Sequence, residues 1–217
     1  MSYTETVFFS LSVFVPGITG LFKVKTADRA YLPFFFCTWL ACINEVLSLF
    51  MANYQLNTAI NNNIYVILEI LLIIWQFKNW GLFRNIKFAF WYFLVFTIIL
   101  WLIEYYPLDN IRQIRPGFRI VSSFLVVLFS INLNCRLIYT QEGRLLRSPA
   151  FIIGSGFILF FTFKIFIEVF LVYGLSASSD FYGRLFFILS CVNLFTNLIY
   201  SIAFLCIPKK IYYTDPY

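Results

Sequence analysis

A lysine and a glutamate stand four residues apart, Lys164 and Glu168, inside the apolar run FILFFTFKIFIEVFLVYG from Phe157 to Gly174. Two further acids, Glu45 and Glu69, lie in other apolar runs. An ionised side chain at the centre of a helix in lipid costs about 2.5–3.5 kcal/mol on insertion scales. Such residues therefore face partners, water or the interior of a bundle. The chemistry open to carboxylates and an ammonium in that setting is narrow: they hold a proton, bind a polar solute, or tie helices together. Lys164 and Glu168 can pair along their own helix, although Lys before Glu is the weaker order at this spacing. Three carboxylates against one ammonium leave an acidic excess, which a low-dielectric bundle resists.

The elements that position these groups are membrane helices. The 217-residue chain is 61% hydrophobic and 12% charged, with a mean hydropathy of +0.84. That is more apolar surface than a soluble core of this size needs, so the bilayer must be the solvent for most of it. A spanning helix needs about 20 apolar residues. This rule predicts one all-α domain of seven transmembrane helices, at roughly 5–22, 31–52, 59–77, 87–106, 119–138, 150–174 and 181–207. The layout admits a parallel 3+1+3 repeat, since Ile43 to Leu47 (INEVL) is similar to Phe166 to Phe170 (FIEVF).

Basic residues set the orientation. Lys23, Lys25, Arg29, Lys78, Arg84, Lys87, Arg136, Arg144, Arg147, Lys209 and Lys210 fall at one side, and Arg112, Arg115, Arg119 and Arg184 at the other. The positive-inside rule then predicts an outside N-terminus and a cytoplasmic C-terminus. The segment YPLDNIRQIRPGFR reads as a solvated outside loop. The first span carries VPGITG at Val15 to Gly20, a kink with a Gly-x-x-Gly packing face. The N-terminus lacks a basic n-region and a small-residue cleavage site, so it reads as a first span and not a removable signal. No Asn-x-Ser/Thr sequon occurs, which favours a bacterial inner membrane over a eukaryotic surface.

Polar stripes mark the faces turned inward. Thr38, Ala41, Cys42, Glu45 and Ser48 share one side of the second span, and Tyr65, Glu69 and Gln76 one side of the third. The seventh carries Ser190, Asn193, Asn197, Tyr200 and Ser201 at helical spacing. The fourth, aromatic and uncharged until Glu104, reads as lipid-facing. A rise of 1.5 Å per residue puts Glu45 roughly 21 Å from the start of its span and Glu69 roughly 15 Å from the outer end of the third. These depths overlap in the middle and outer membrane. The candidate ligand or proton pocket is therefore Glu45, Glu69, Lys164, Glu168, Asn193, Asn197 and Tyr65.

Several classes of function fall away. Without a single histidine there is no His general base and no His metal ligand. The five cysteines, Cys37, Cys42, Cys135, Cys191 and Cys206, all lie in spans without metal spacing and read as packing thiols. The formal charge of +6 belongs to loops, so nucleic acid is not a partner. No nucleophile elbow or phosphate-binding glycine loop occurs, and no cofactor is implied. The residues argue against an enzyme more than for one; a carboxylate-dependent lipid-modifying enzyme is the third reading. A retinal protein would want a lysine in the last span, where there is none. The favoured reading is a sensor or receptor-like bundle with an outward-facing polar pocket, or a subunit of a membrane complex. Its partners would be membrane lipids and another membrane or signalling protein. A small-solute or proton-coupled transporter is the alternative.

The Asn-rich turn before IYVILEILLIIWQFKNW (Ile64 to Trp80) and the ending NLFTNLIYSIAFLCIPKK (Asn193 to Lys210) give the chain a family look. It resembles small, uncharacterised seven-helix bacterial inner-membrane proteins. That resemblance implies the layout alone, with no activity and no site residue.

Overall fold

The computed structural model describes residues 9–86, 88–106, 111–113, 115–140, 145–173 and 179–209. Residues 5–8 of the first expected span, Gly174 at the end of the sixth, and Lys87, Arg144 and Lys210 lie outside the described residues. Among these residues seven α-helices follow in chain order: α1 (Phe14–Lys23), α2 (Leu32–Asn53), α3 (Ala59–Asn79), α4 (Ala89–Tyr105), α5 (Pro116–Thr140), α6 (Pro149–Tyr173) and α7 (Ser179–Cys206). They match the expected runs to within a few residues except at the start of α1. Five of them are long and apolar enough to cross a membrane; the stretch Phe9–Lys23 and α4 are apolar but shorter. The architecture is a helical membrane bundle.

Local chemistry sets the helix ends. Pro16 has no N–H to offer the Ser12 carbonyl, which instead accepts from Val15 at 3.1 Å. The helix is therefore interrupted at Ser12–Val13 and α1 proper begins at Phe14. Gly17 and Gly20 then let α1 pack closely: a Cβ on Gly17 would lie 2.7 Å from the Cys42 sulfur, and one on Gly20 would touch Phe35 and Phe204. Asp28 accepts from the Ala30 N–H ahead of α2. Gln76 of α3 accepts from the Phe34 N–H at 2.9 Å and donates to the Ala30 carbonyl at 2.7 Å, satisfying a helix start that water cannot reach. Pro116 and Pro149 open α5 and α6, where a missing N–H costs nothing.

Sequential neighbours pack side by side, and α7 returns to pack on α1. An antiparallel bridge between Ala27 and Lys209 and a hydrogen bond from Asp28 N to the Pro208 carbonyl lock that closure. Helix direction gathers Lys23, Arg29, Lys78, Arg136, Arg147 and Lys209 at one end, where Lys23 donates to the Leu205 carbonyl and Arg136 to that of Gly81. Inside, Phe34, Phe157, Tyr200 and Phe204 interlock edge to face or tilted, with centroid separations of 4.9–6.1 Å. The outward side of α4 (Trp91, Tyr92, Ile99, Ile103) is exposed, as expected of a lipid-facing helix.

Candidate functional site

The aromatic core leaves a cavity of about 70 Å³ near mid-depth, enough for roughly two waters. Tyr65, Glu69, Asn193 and Asn197 line it, together with Thr196 and Tyr200. Four of the seven expected pocket residues thus share one small space. Glu69 is the charged group among them. Its Oε1 accepts from the Tyr65 hydroxyl at 2.7 Å, and its Oε2 lies 3.3 Å from Lys164 Nζ. The Glu69 side chain is buried, at 8% exposure, and that of Lys164 nearly so, at 12%. The ammonium also faces two rings, with the centroid of Phe161 at 5.2 Å and that of Phe160 at 5.8 Å.

Glu168 does not join this cavity. The expected pairing of Lys164 with Glu168 is corrected: Glu168 Oε1 lies 3.3 Å from Arg119 Nη1 and Lys164 turns to Glu69. The reason is a second cation. Arg119, read from sequence as outside loop charge, sits in the first turn of α5 and reaches into the bundle. Two carboxylates then face two cations across different helices, which removes the acidic excess and leaves the weaker Lys-before-Glu pairing unused. The signal that could have found Arg119 is Pro116, a helix-opening residue just three positions before it.

Asn63 of α3 is the second residue that the sequence reading missed. Its Oδ1 accepts from Arg119 Nη2 at 3.2 Å and from the Tyr105 hydroxyl at 3.0 Å. Its Nδ2 donates to the carbonyls of Ile111 and Gln113, both at 2.9 Å, and its own carbonyl accepts from Trp101 Nε1 at 3.2 Å. It is 1% exposed, and this full set of partners explains how an Asn-rich stretch can enter a membrane helix. Arg119 Nε is the one buried nitrogen of the group without a partner among the described residues. Beside it, Glu104 accepts from the Phe118 N–H and so caps α5.

The other expected residues divide. Asn197 donates to Ser12 Oγ at 2.7 Å and pins α7 to the break ahead of α1, while Asn193 stays on the cavity wall. Glu45 does not belong to the cluster: it is half-buried, makes no hydrogen bond or ion pair with a described residue, and does not line the cavity. Its neighbours on α2 are bound elsewhere, with Asn61 of α3 donating to Asn44 Oδ1 at 2.8 Å and Ser48 Oγ at 3.2 Å. Among the described residues, no group of three or more Cys, Asp or Glu side chains could hold a metal ion.

No family model matches this chain, and no similar curated protein or solved structure was found.

Proposed function

We propose that this integral membrane protein is receptor-like, detecting a small polar solute or a proton at Glu69 and relaying the event through α6. One observation carries the reading. Lys164 and Glu168, one turn apart on α6, are each committed to a different helix, α3 and α5. A second arrangement is available to the same four groups, in which Lys164 pairs with Glu168 along α6 and releases Glu69 and Arg119. Neutralising Glu69, by a proton or by a solute in the cavity, favours that exchange and moves α6 against its neighbours. The relay would end on a partner protein or in a larger membrane complex. On the positive-inside argument we place the N-terminus outside and the C-terminus in the cytoplasm of a bacterial inner membrane, in keeping with the family resemblance.

A proton-coupled transporter is the second reading, and a mid-depth carboxylate next to a space for two waters favours it. Glu69→Gln separates the two. Spin labels on the outer ends of α3 and α6 are expected to report a changed distance distribution in the variant, with no proton or solute flux from wild-type proteoliposomes. An unchanged distribution would sink the relay. Flux that Glu69→Gln abolishes would establish the transporter instead.

A further inference from the structure

On the lipid side of the bundle, α2, α3 and α4 border a groove of about 650 Å³. That is the size of a ligand site and far larger than the central cavity. Trp39, Leu68, Leu72, Trp75 and Trp91 form its apolar walls. The one charged residue lining it is Lys78, in the last turn of α3.

Depth makes the arrangement specific. The rise from Leu68 to Lys78 along α3 is about 15 Å, half of a hydrocarbon core about 30 Å thick. The groove therefore runs from the membrane centre to the surface of one leaflet, with an ammonium at headgroup level. Lys78 Nζ is held at the mouth by ring faces, 4.2 Å from the Phe90 centroid and 5.9 Å from that of Trp91. No carboxylate among the described residues neutralises it. At the groove wall, the indole N–H of Trp39 is buried without a hydrogen-bond partner.

We propose that the groove binds an anionic glycerophospholipid from the leaflet at the basic end of the bundle. One acyl chain lies along Leu68, Leu72 and Trp75, and the phosphate sits on Lys78. A zwitterionic headgroup would bring its own ammonium toward Lys78, whereas a net anionic one would not. One lysine near an anionic headgroup gives a preference of about fivefold.

Native mass spectrometry of delipidated protein in an uncharged detergent tests this, titrated with dioleoylphosphatidylglycerol or dioleoylphosphatidylcholine. The wild type is expected to retain the anionic lipid about fivefold better. Lys78→Gln, an exposed position that does not endanger folding, is expected to lose that preference. Lys25→Gln, a charge at the same end but outside the groove, is expected to keep it. Leu72→Trp, checked for an unchanged melting temperature, should reduce binding of both lipids by filling the groove. Equal retention of the two lipids by the wild type, or a preference that survives Lys78→Gln, would overturn the site. So would a preference lost equally in Lys25→Gln, which would mean unspecific surface charge. A dimer insensitive to lipid but broken by Leu72→Trp would overturn it too, because a second copy would then occupy the groove.

Discussion

The inner ion pair, Glu69 with Lys164, and the outer one, Glu168 with Arg119, have the same 3.3 Å separation and opposite surroundings. The outer pair is held in a network: Asn63 accepts from Arg119 and Tyr105 while its amide ties down two carbonyls of the α4–α5 connection. It lies nearer the ends of α3, α5 and α6, although its side chains are as little exposed as those of the inner pair. The inner pair lies deeper, supported by the Tyr65 hydroxyl and the faces of two phenylalanines, and it borders a cavity. A network satisfied on most sides fixes geometry and resists change. A thinly supported pair beside free volume can change partner or protonation at small structural cost. On the proposed reading, the outer pair is the staple and the inner pair the responsive element.

The sharpest way to break this contrast is to remove one cation at a time. Lys164→Met leaves the Glu69 carboxylate buried with a single hydrogen bond, and loss of one member of a buried pair costs about 3–5 kcal/mol. Arg119→Met should cost less, because Glu168 lies nearer the membrane surface, where a charge is more cheaply hydrated. Unfolding free energies in detergent–lipid bicelles measure both, and an equal or reversed order would contradict the assigned roles.

A double-mutant cycle tests the partner assignment itself. Lys164→Met with Glu69→Gln should be milder than Lys164→Met alone, with a coupling of about 0.5–3 kcal/mol. Lys164→Met with Glu168→Gln should lack that direct pair term in the resting state. Strong coupling of Lys164 to Glu168 and none to Glu69 would mean that the intrahelical arrangement is the resting one.

The cost of charge in lipid made this fold legible and only half of the site. Apolar runs of about 20 residues located all seven helices, and the same rule marked Glu69, Lys164 and Glu168 as interior. Partner choice was not legible. Whether Lys164 meets Glu168 or Glu69 depends on how α6 is rotated against α3, which no spacing within α6 encodes. Arg119 was hidden because it follows a Pro-Gly that reads equally as loop or as helix start, and the helix reading brings a second cation inside. Glu45 shows the converse: an acid on a polar stripe of α2 looked like a pocket residue, and the bundle leaves it without a partner among the described residues. The proline in the first span announced a break, but the break falls one turn earlier, at the carbonyl that Pro16 cannot serve.

Asn63→Leu sharpens the contrast from the other side. It removes the acceptor shared by Arg119 and Tyr105 and frees two backbone carbonyls, so a loss of about 2 kcal/mol is expected from the unsatisfied groups. Hydrogen exchange should accelerate at the start of α5 and leave the middle of α3 protected. Uniform acceleration through both helices would mean that the outer network is not a separate staple.

The smallest effect is expected at Tyr65→Phe, and it bears most directly on the inner pair. The hydroxyl donates to Glu69 Oε1 at 2.7 Å from one turn away on the same helix, so its removal leaves packing intact and deletes one hydrogen bond. Hydrogen bonds inside membrane bundles average about 0.6 kcal/mol, because the unfolded chain in the membrane also finds partners. The stability loss should therefore stay near that value, since Lys164 still neutralises the carboxylate. The functional consequence should be larger than the energetic one. Without the hydroxyl, Oε1 of Glu69 loses its hydrogen-bond donor and Lys164 remains as the one polar partner of the carboxylate among the described residues. The spin-label distance between α3 and α6 should then shift part of the way toward the Glu69→Gln distribution. A variant destabilised by several kcal/mol with an unchanged distance distribution would place Tyr65 among the structural residues and not with the inner pair.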